Sequence, residues 1–316
     1  MTALLDALAF SFSVTGPIFV VLALGVGLMR IGLLNDNFVD TGAKLVFNVA
    51  LPALLFISIS KTRFDAAANF NLVLFGLAGT GLIFIVLEWA ARRWVPVAAD
   101  RGVFVQGCFR SNMGIIGLAY CVNAYGDAGL VAASLYLGIV TIFYNVLAVI
   151  TLSRSLGTHR SVGQLAKGIV RNPLIIGIVL ALPVSWAGIE LPALMLKSGQ
   201  YFANLTLPLA LLCTGAALDF GQLRRDLRTT VLAGGIKLLA VPLVFVACGV
   251  VAGFRGVDLG VLMLMSGAPT AAASYVMVRA MGGNAVLAAN IIAVTTLGSI
   301  LTTSVGVMVL RAAGLM

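Results

Sequence analysis

The amino-acid sequence predicts an all-α integral membrane protein of ten transmembrane helices, built as an inverted five-plus-five repeat in which crossover helices four and nine are broken. Three observations lead there. The composition, 61% hydrophobic and 10% charged with a mean hydropathy of +1.10, leaves more apolar surface than an aqueous fold can hide. The chain also repeats itself: Asn48–Ser58 reads Asn-Val-Ala-Leu-Pro-Ala-Leu-Leu-Phe-Ile-Ser, and Asn204–Thr214, at an offset of 156 residues, reads Asn-Leu-Thr-Leu-Pro-Leu-Ala-Leu-Leu-Cys-Thr. Finally, two apolar stretches at matching places in the two halves are interrupted by helix-breaking residues.

The same offset carries Gly16-Pro17 onto Asn172-Pro173, and Ala124, Gly126, Ala132 and Ala133 onto Ala280, Gly282, Ala288 and Ala289. One shift that aligns several separate segments marks internal duplication. Apolar stretches of about 20 residues suffice to cross a hydrocarbon core of about 30 Å. They lie near 10–29, 38–59, 70–91, 103–124, 128–152, 168–187, 194–218, 229–252, 258–280 and 285–310. Five spans per half is an odd number, so the second half, 156–316, enters the membrane from the side opposite to the first, 1–155. Halves related in this way place a common site near the midplane, an arrangement characteristic of secondary transporters.

Charge sets the expected orientation. The net charge of +9 is carried mostly at the ends of apolar stretches, which argues against a nucleic-acid partner. Assigning alternate loops to one side groups Arg30, Lys44, Arg92, Arg93, Arg101, Arg154, Arg160, Lys167, Arg171, Arg224, Arg225 and Arg228 against Lys61, Arg63, Lys197, Arg255 and Arg311. The positive-inside rule makes the first group cytoplasmic. Both termini then face outward, and the hydrophilic linker from Ser153 to Lys167 is a cytoplasmic joint between the halves. The first apolar run ends at Arg30 without a basic leader or small-residue cleavage site, so it reads as a retained span. Cys108, Cys121, Cys213 and Cys248 fall in apolar stretches without CxxC spacing, which points to packing and away from a disulfide framework or zinc site.

The interrupted spans are the candidate site. Span four contains Arg110-Ser111-Asn112-Met113-Gly114-Ile115-Ile116-Gly117, and span nine contains Ser266-Gly267-Ala268-Pro269-Thr270-Ala271. Proline removes an amide donor and clashes with the preceding turn, while glycine weakens helical preference. Broken backbone at membrane depth survives only where protein buries it or it lines a wet cavity. Interruptions in equivalent spans therefore point to a substrate site, with Asn112, Met113, Gly114, Pro269, Thr270, Ser274 and Tyr275 beside it. In a single span, close packing or a simple kink would explain the same residues.

Arg110 lies roughly 12 Å into span four at 1.5 Å per residue. A charge at such depth is a functional hypothesis by default, and a guanidinium offers a bidentate fork to a carboxylate. Snorkelling to the inner interface or pairing with Glu88 are its structural alternatives. Lys237, at similar depth in span eight, could add positive potential or snorkel, and Arg279 suits an interfacial anchor. Asn48 and Asn204, each four residues before a proline, could touch substrate, although bracing a prolyl kink is the favoured role. Asn145 is a further polar candidate, with interhelical hydrogen bonding as its structural alternative. No Asp or Glu falls near the middle of a predicted span, and the lone His159 is in the linker. A central carboxylate proton relay is therefore disfavoured, and a neutral-to-positive site favours an organic anion.

Phe109 to Leu118, Asn172-Pro173-Leu174-Ile175 and Ala268-Pro269-Thr270-Ala271 followed by Tyr275 together resemble the auxin efflux carrier family, over essentially the whole chain. The family includes plant auxin exporters and bacterial malonate-type permeases. The resemblance implies a bile-acid-transporter-like or antiporter-like architecture, with scaffold and transport domains each drawn from both repeats. It implies that spans four and nine cross as broken helices, with Asn112 and Pro269 at the crossover points, and that the transport domain moves like an elevator. Ala119 departs from the pattern, standing where many relatives have a proline. Bacterial relatives imply an inner-membrane location and a small carboxylate substrate, malonate-like or auxin-like.

The expected partners are thus a small organic anion and the lipid bilayer, with a homodimer as a candidate assembly and no cofactor. A sodium-coupled symporter of bile-acid-transporter type and a membrane ligand sensor that does not transport are the competing readings. The chain has no HExxH, no GxSxG and no paired intramembrane aspartates, so an intramembrane enzyme is disfavoured. It also lacks a GxxxxGK[ST] loop for direct ATP drive.

Overall fold

A computed structural model describes residues 2–60, 70–157, 173–217 and 226–316. The expected linker beyond Gly157, with His159, Arg160, Lys167, Arg171 and Asn172, lies outside the described residues, as do Lys61, Arg63, Arg224 and Arg225. The described residues form thirteen α-helices and three π-helical turns, and no strand. In chain order the helices are α1 (Thr2–Arg30), α2 (Asp36–Leu45), α3 (Leu51–Ser60), α4 (Phe70–Trp94), α5 (Ala98–Phe109), α6 (Leu118–Leu156), α7 (Pro173–Trp186), α8 (Ala193–Ala216), α9 (Leu227–Gly235), α10 (Val241–Val251), α11 (Gly256–Gly267), α12 (Ala273–Ala280) and α13 (Ala285–Ala312).

Six continuous helical stretches are long and apolar enough to cross a membrane: Phe12–Arg30, Asp36–Ile57, Phe70–Trp94, Met113–Leu156, Leu227–Val251 and Ala285–Ala312. Large apolar side chains such as Val20, Leu74, Leu82, Ile85, Leu243 and Val251 point outward on these helices, as lipid-facing positions require. The protein is therefore a multi-pass membrane protein whose described residues are helices and their connections.

Two of the expected spans are interrupted where the sequence predicts. Helix stops at Phe109 and resumes at Met113, and it stops at Gly267 and resumes at Ala273. The repeat register also has a backbone counterpart. Gly126 (φ 58) and Gly282 (φ 78) share the 156-residue offset, and so do Gly32 (φ 78) and Gly188 (φ 61). All four occupy the left-handed region that a Cβ disfavours. At Gly126 the chain turns sharply within α6, marking the boundary between the spans expected at 103–124 and 128–152.

The π-helical turns follow a common pattern. Val46–Ala50 precedes Leu51-Pro52, and Ile236–Ala240 precedes Val241-Pro242. Because proline cannot donate to the carbonyl one turn back and its ring crowds that turn, the ladder slips to the wider bond, Leu51 N–H to Val46 O and Val241 N–H to Ile236 O. The third turn, Met113–Gly117, precedes Leu118-Ala119; here the glycines and the crossover loosen the helix without a proline. Pro208, by contrast, sits inside α8 with no π turn.

The helices pack in two groups: α1, α2, α3, α7 and α8 contact one another, and α4–α6 pack with α9–α13. The groups meet where α1 lies against α13 and α6, and where α3 touches α6. Close approach in the first group depends on small residues. A Cβ at Gly215 would collide with the Leu22 backbone of α1, and one at Gly25 would collide with the Leu212 carbonyl of α8. Such contacts replace the hydrophobic drive that lipid removes.

Gly215→Leu should therefore separate α1 from α8 and lower the thermal unfolding midpoint in detergent, with a cost of about 1–3 kcal/mol. Gly27→Ala is the control, because a Cβ at Gly27 meets nothing within 4 Å, and it should leave the midpoint unchanged. Equal midpoints for Gly215→Leu and the unsubstituted protein would refute the packing argument.

Candidate functional site: a buried cationic crossover

Breaking a helix inside the membrane frees backbone donors and acceptors that no water can satisfy. Here the two breaks satisfy each other. Asn112 N–H donates to the Pro269 carbonyl at 2.7 Å, and Ala271 N–H donates to the Arg110 carbonyl at 3.0 Å. These bonds flank an antiparallel bridge between Ser111 and Thr270. Pro269 takes part only through its carbonyl, so its missing N–H is not needed.

Side chains complete the accounting at the helix ends. The Thr270 hydroxyl donates to the Gly107 carbonyl in the last turn of α5 at 2.6 Å, and Thr270 N–H donates to Thr295 Oγ1 of α13 at 3.1 Å. Phe109, the last residue of α5, is wedged edge-on between Phe84 and Tyr144, with ring centroids 5.7 and 5.5 Å away.

Arg110 is extended (φ −86, ψ 99). Successive side chains of an extended segment project to opposite sides, and they do so here. The Arg110 guanidinium goes toward α6 and α12, donating from Nη2 to Asn145 Oδ1 at 2.6 Å and from Nη1 to Met277 Sδ at 3.5 Å. Ser111 goes the other way, toward Lys237, whose Nζ donates to Ser111 Oγ at 2.6 Å. Arg110 is only 6% exposed and has no carboxylate partner among the described residues. It does not snorkel to the interface. Nor does it pair with Glu88, which accepts from the Thr151 hydroxyl and lies 3.8 Å from Arg154.

The other expected site residues divide into those at the crossover and those apart from it. Asn112 and Met113 are buried. Gly114 faces the first helix group, where a Cβ would lie 3.4 Å from Leu51. Ser274 is buried, with no partner for its hydroxyl among the described residues. Tyr275 is half-buried, and its hydroxyl accepts from Arg279 at 3.3 Å. Asn48 and Asn204 bond within their own helices: Asn48 donates to the Lys44 carbonyl at 2.8 Å, and Asn204 accepts from Gln200 at 2.9 Å. Neither joins the hydrogen-bond network of the crossover.

Two further residues belong to the site. Gln106, one turn before Arg110, is fully buried; it donates to Met277 Sδ at 3.5 Å, and its Oε1 has no partner among the described residues. Its i, i+4 spacing from Arg110 was the available signal. Lys237 is also fully buried, held in the π-helical turn that Pro242 forces. Of the four cysteines, Cys108, Cys121 and Cys213 are buried thiols, while Cys248 is exposed.

The fold and the crossover define a multi-pass helical membrane protein organised around two interrupted helices. Residues 12–307 match the family described as "Membrane transport protein", and the chain belongs to that family, which bears out the resemblance carried by the crossover motifs. Curated relatives agree. An "Uncharacterized transporter" of Methanothermobacter thermautotrophicus is 26% identical over 262 residues, covering 80% of this chain and 83% of its own. A "Putative malonate transporter" of Rhizobium meliloti is 23% identical over 292 residues, covering 87% of this chain and 90% of its own.

Thr270→Val should keep the shape of the crossover but strip the Gly107 carbonyl of its side-chain donor. The expected cost is about 1–3 kcal/mol, read as a lower unfolding midpoint in detergent. An unchanged midpoint would mean that this hydroxyl does not hold α5 to the crossover.

Proposed function

We propose that the protein is a secondary carrier that moves a small organic anion, a carboxylate of malonate-like or auxin-like type, by alternating access. The observation that carries this reading is Arg110, a buried guanidinium at the crossover whose bonding partners, Asn145 and Met277, are both neutral. A buried cation without a counter-ion is costly, and a carboxylate substrate would supply the missing charge through a bidentate contact. Helix N-termini favour anions. The half-helices that resume at Met113 and Ala273 would add backbone amides to the same anion. The name of the Rhizobium relative supports a small dicarboxylate.

In this reading ten spans form two inverted halves, 1–155 and 156–316. The group containing α1–α3, α7 and α8 serves as scaffold, and the group carrying the crossover moves against it in an elevator-like step. The paired left-handed glycines and the interruptions at Arg110–Asn112 and Ala268–Ala272 support that symmetry. The protein would lie in a bacterial inner membrane, with both termini outside and Arg30, Lys44, Arg92, Arg93 and Arg154 facing the cytoplasm.

Uptake of labelled malonate into proteoliposomes tests the reading, with unlabelled dicarboxylates and indole-3-acetate as competitors. The unsubstituted protein should show saturable uptake. Arg110→Ala should reduce it by about tenfold or more, the worth of a charged hydrogen bond of about 1.5–3 kcal/mol, and Arg110→Lys, which keeps charge but not the fork, should fall between. Wild-type uptake by a folded Arg110→Ala protein would return Arg110 to a structural role. Absence of uptake for every anion offered would refute the substrate class.

A further inference from the structure

A second polar feature lies at the end of α5 remote from the crossover. Where the start of α5 meets the last turns of α4 and α6, a cleft of about 200 Å³ is lined by Arg92, Arg101 and Arg154, with Glu88, Thr151 and Ser155. The three cations have unequal duties. Arg101 is committed to the chain, donating from Nε to the Val95 carbonyl at 3.0 Å and from Nη2 to the Pro96 carbonyl at 3.4 Å. Arg154 lies 3.8 Å from Glu88, but its side chain is 60% exposed, and the Glu88 carboxylate also accepts from the Thr151 hydroxyl. Arg92 is exposed, with no hydrogen-bond or carboxylate partner among the described residues. Three arginines against one glutamate leave the cleft with a net charge of +2. The N-cap of α5, Val97, supplies no side-chain acceptor, so the first amides of that helix add to the positive potential.

The surface leading from the cleft toward the middle of α4 is apolar and faces outward. Leu82, Ile85 and Trp89 are all exposed, and with Arg92 they follow the three- and four-residue steps that place side chains on one helix face. On α6 the exposed Ile150 stands four residues before Arg154. Two apolar stripes therefore end in arginines at one cleft. Trp89 lies under the Arg93 guanidinium, 4.4 Å from its ring centroid, and Trp94 is also exposed, which sets this end of α4 at the membrane surface, where tryptophan collects. Behind the cleft α5 and α6 touch, since a Cβ at Gly102 would collide with the Ser155 hydroxyl and the Thr151 carbonyl.

A ligand that matches both parts of this surface has an anionic head and apolar chains. We propose that the cleft binds the phosphate of one anionic phospholipid, whose acyl chains lie along Leu82, Ile85 and Trp89 of α4 and Ile150 of α6. Guanidinium groups match phosphate oxygens with paired donors, and basic pockets between membrane helices suit anionic headgroups. A soluble phosphate would use the arginines alone and leave both apolar stripes without a role. Glu88 does not close the cleft to anions, because its carboxylate is tied to Thr151 and Arg154. The site stands apart from Arg110 and does not depend on the carrier reading.

Lipid binding to the delipidated full chain in detergent is read by native mass spectrometry and by the thermal unfolding midpoint, with phosphatidylglycerol, phosphatidylcholine and glycerol 3-phosphate as probes. The unsubstituted protein should bind one phosphatidylglycerol saturably, with a raised midpoint, in preference to phosphatidylcholine, whose headgroup cation the arginines repel. Glycerol 3-phosphate should bind about tenfold or more weakly for want of acyl chains. Arg92→Gln and Arg154→Gln should each weaken phosphatidylglycerol binding about fivefold, the worth of one basic residue near an anionic lipid. Ile85→Asn should weaken it too, while leaving glycerol 3-phosphate binding unchanged. Arg30→Gln, which removes a basic residue at the end of α1, should change neither.

Equal binding of the two phospholipids, an equal loss with Arg30→Gln, or unchanged binding by Arg92→Gln would each overturn the proposal. Glycerol 3-phosphate bound as tightly as phosphatidylglycerol would overturn it in favour of a soluble phosphate. Arg92 is exposed and holds no other group in place, so its variant decides the matter even if Arg154→Gln does not fold.

Discussion

The structure depends on the reciprocal pairing of two broken backbones. An unpaired amide or carbonyl in a dry interior costs several kcal/mol, so neither interruption could persist alone at membrane depth. Asn112 donates to Pro269 and Ala271 donates to Arg110, and each break is thereby the hydrogen-bonding partner of the other. The extended geometry that this pairing imposes decides the chemistry. Alternation along Arg110-Ser111 sends the guanidinium to one side and the hydroxyl to the other, so one short segment serves two different environments.

Those environments share one electrostatic condition. Two helices end at the crossover with their carbonyls converging, and the donors that meet them are cations and hydroxyls: Lys237 at Ser266, Thr270 at Gly107 and, at 3.5 Å, Thr303 at Gly267. No acid is needed to balance Lys237 locally, because the helix ends it meets already carry partial negative charge, whereas the Arg110 guanidinium meets only the neutral Asn145 and Met277. Glu88 is engaged elsewhere, with Thr151 and Arg154. A site built in this way has spare positive potential on the Arg110 side, which is the physical basis for expecting an anion there.

Much of this was legible in the sequence. The interruptions were readable because glycine and proline in otherwise apolar spans have few structural outlets, and the offset between halves was readable because Asn48–Ser58 and Asn204–Thr214 survive as near copies. Side-chain direction was not legible. Sequence allows a lysine at the depth of Lys237 to snorkel; only the π-helical turn before Pro242, with two acceptors waiting, keeps it inside. Similarly, Asn48 and Asn204 look equivalent beside Pro52 and Pro208. The first lies in a π turn and the second in an unbroken helix, since a proline can be absorbed by a bulge or tolerated in place depending on neighbours that local sequence does not encode.

The repeat and the chemistry therefore come from different parts of the sequence. Positions that match across the 156-residue offset, such as Gly126 with Gly282 and Gly32 with Gly188, fix backbone shape. Positions that have diverged carry the polar and charged side chains of the crossover. Arg110 falls on Ser266, Lys237 on Gly81, Asn145 on Leu301 and Thr295 on Ile139. The two halves therefore differ where the chain is most polar: Arg110 stands on one broken helix and bonds to Asn145, and Lys237 stands beside the other and bonds to Ser266.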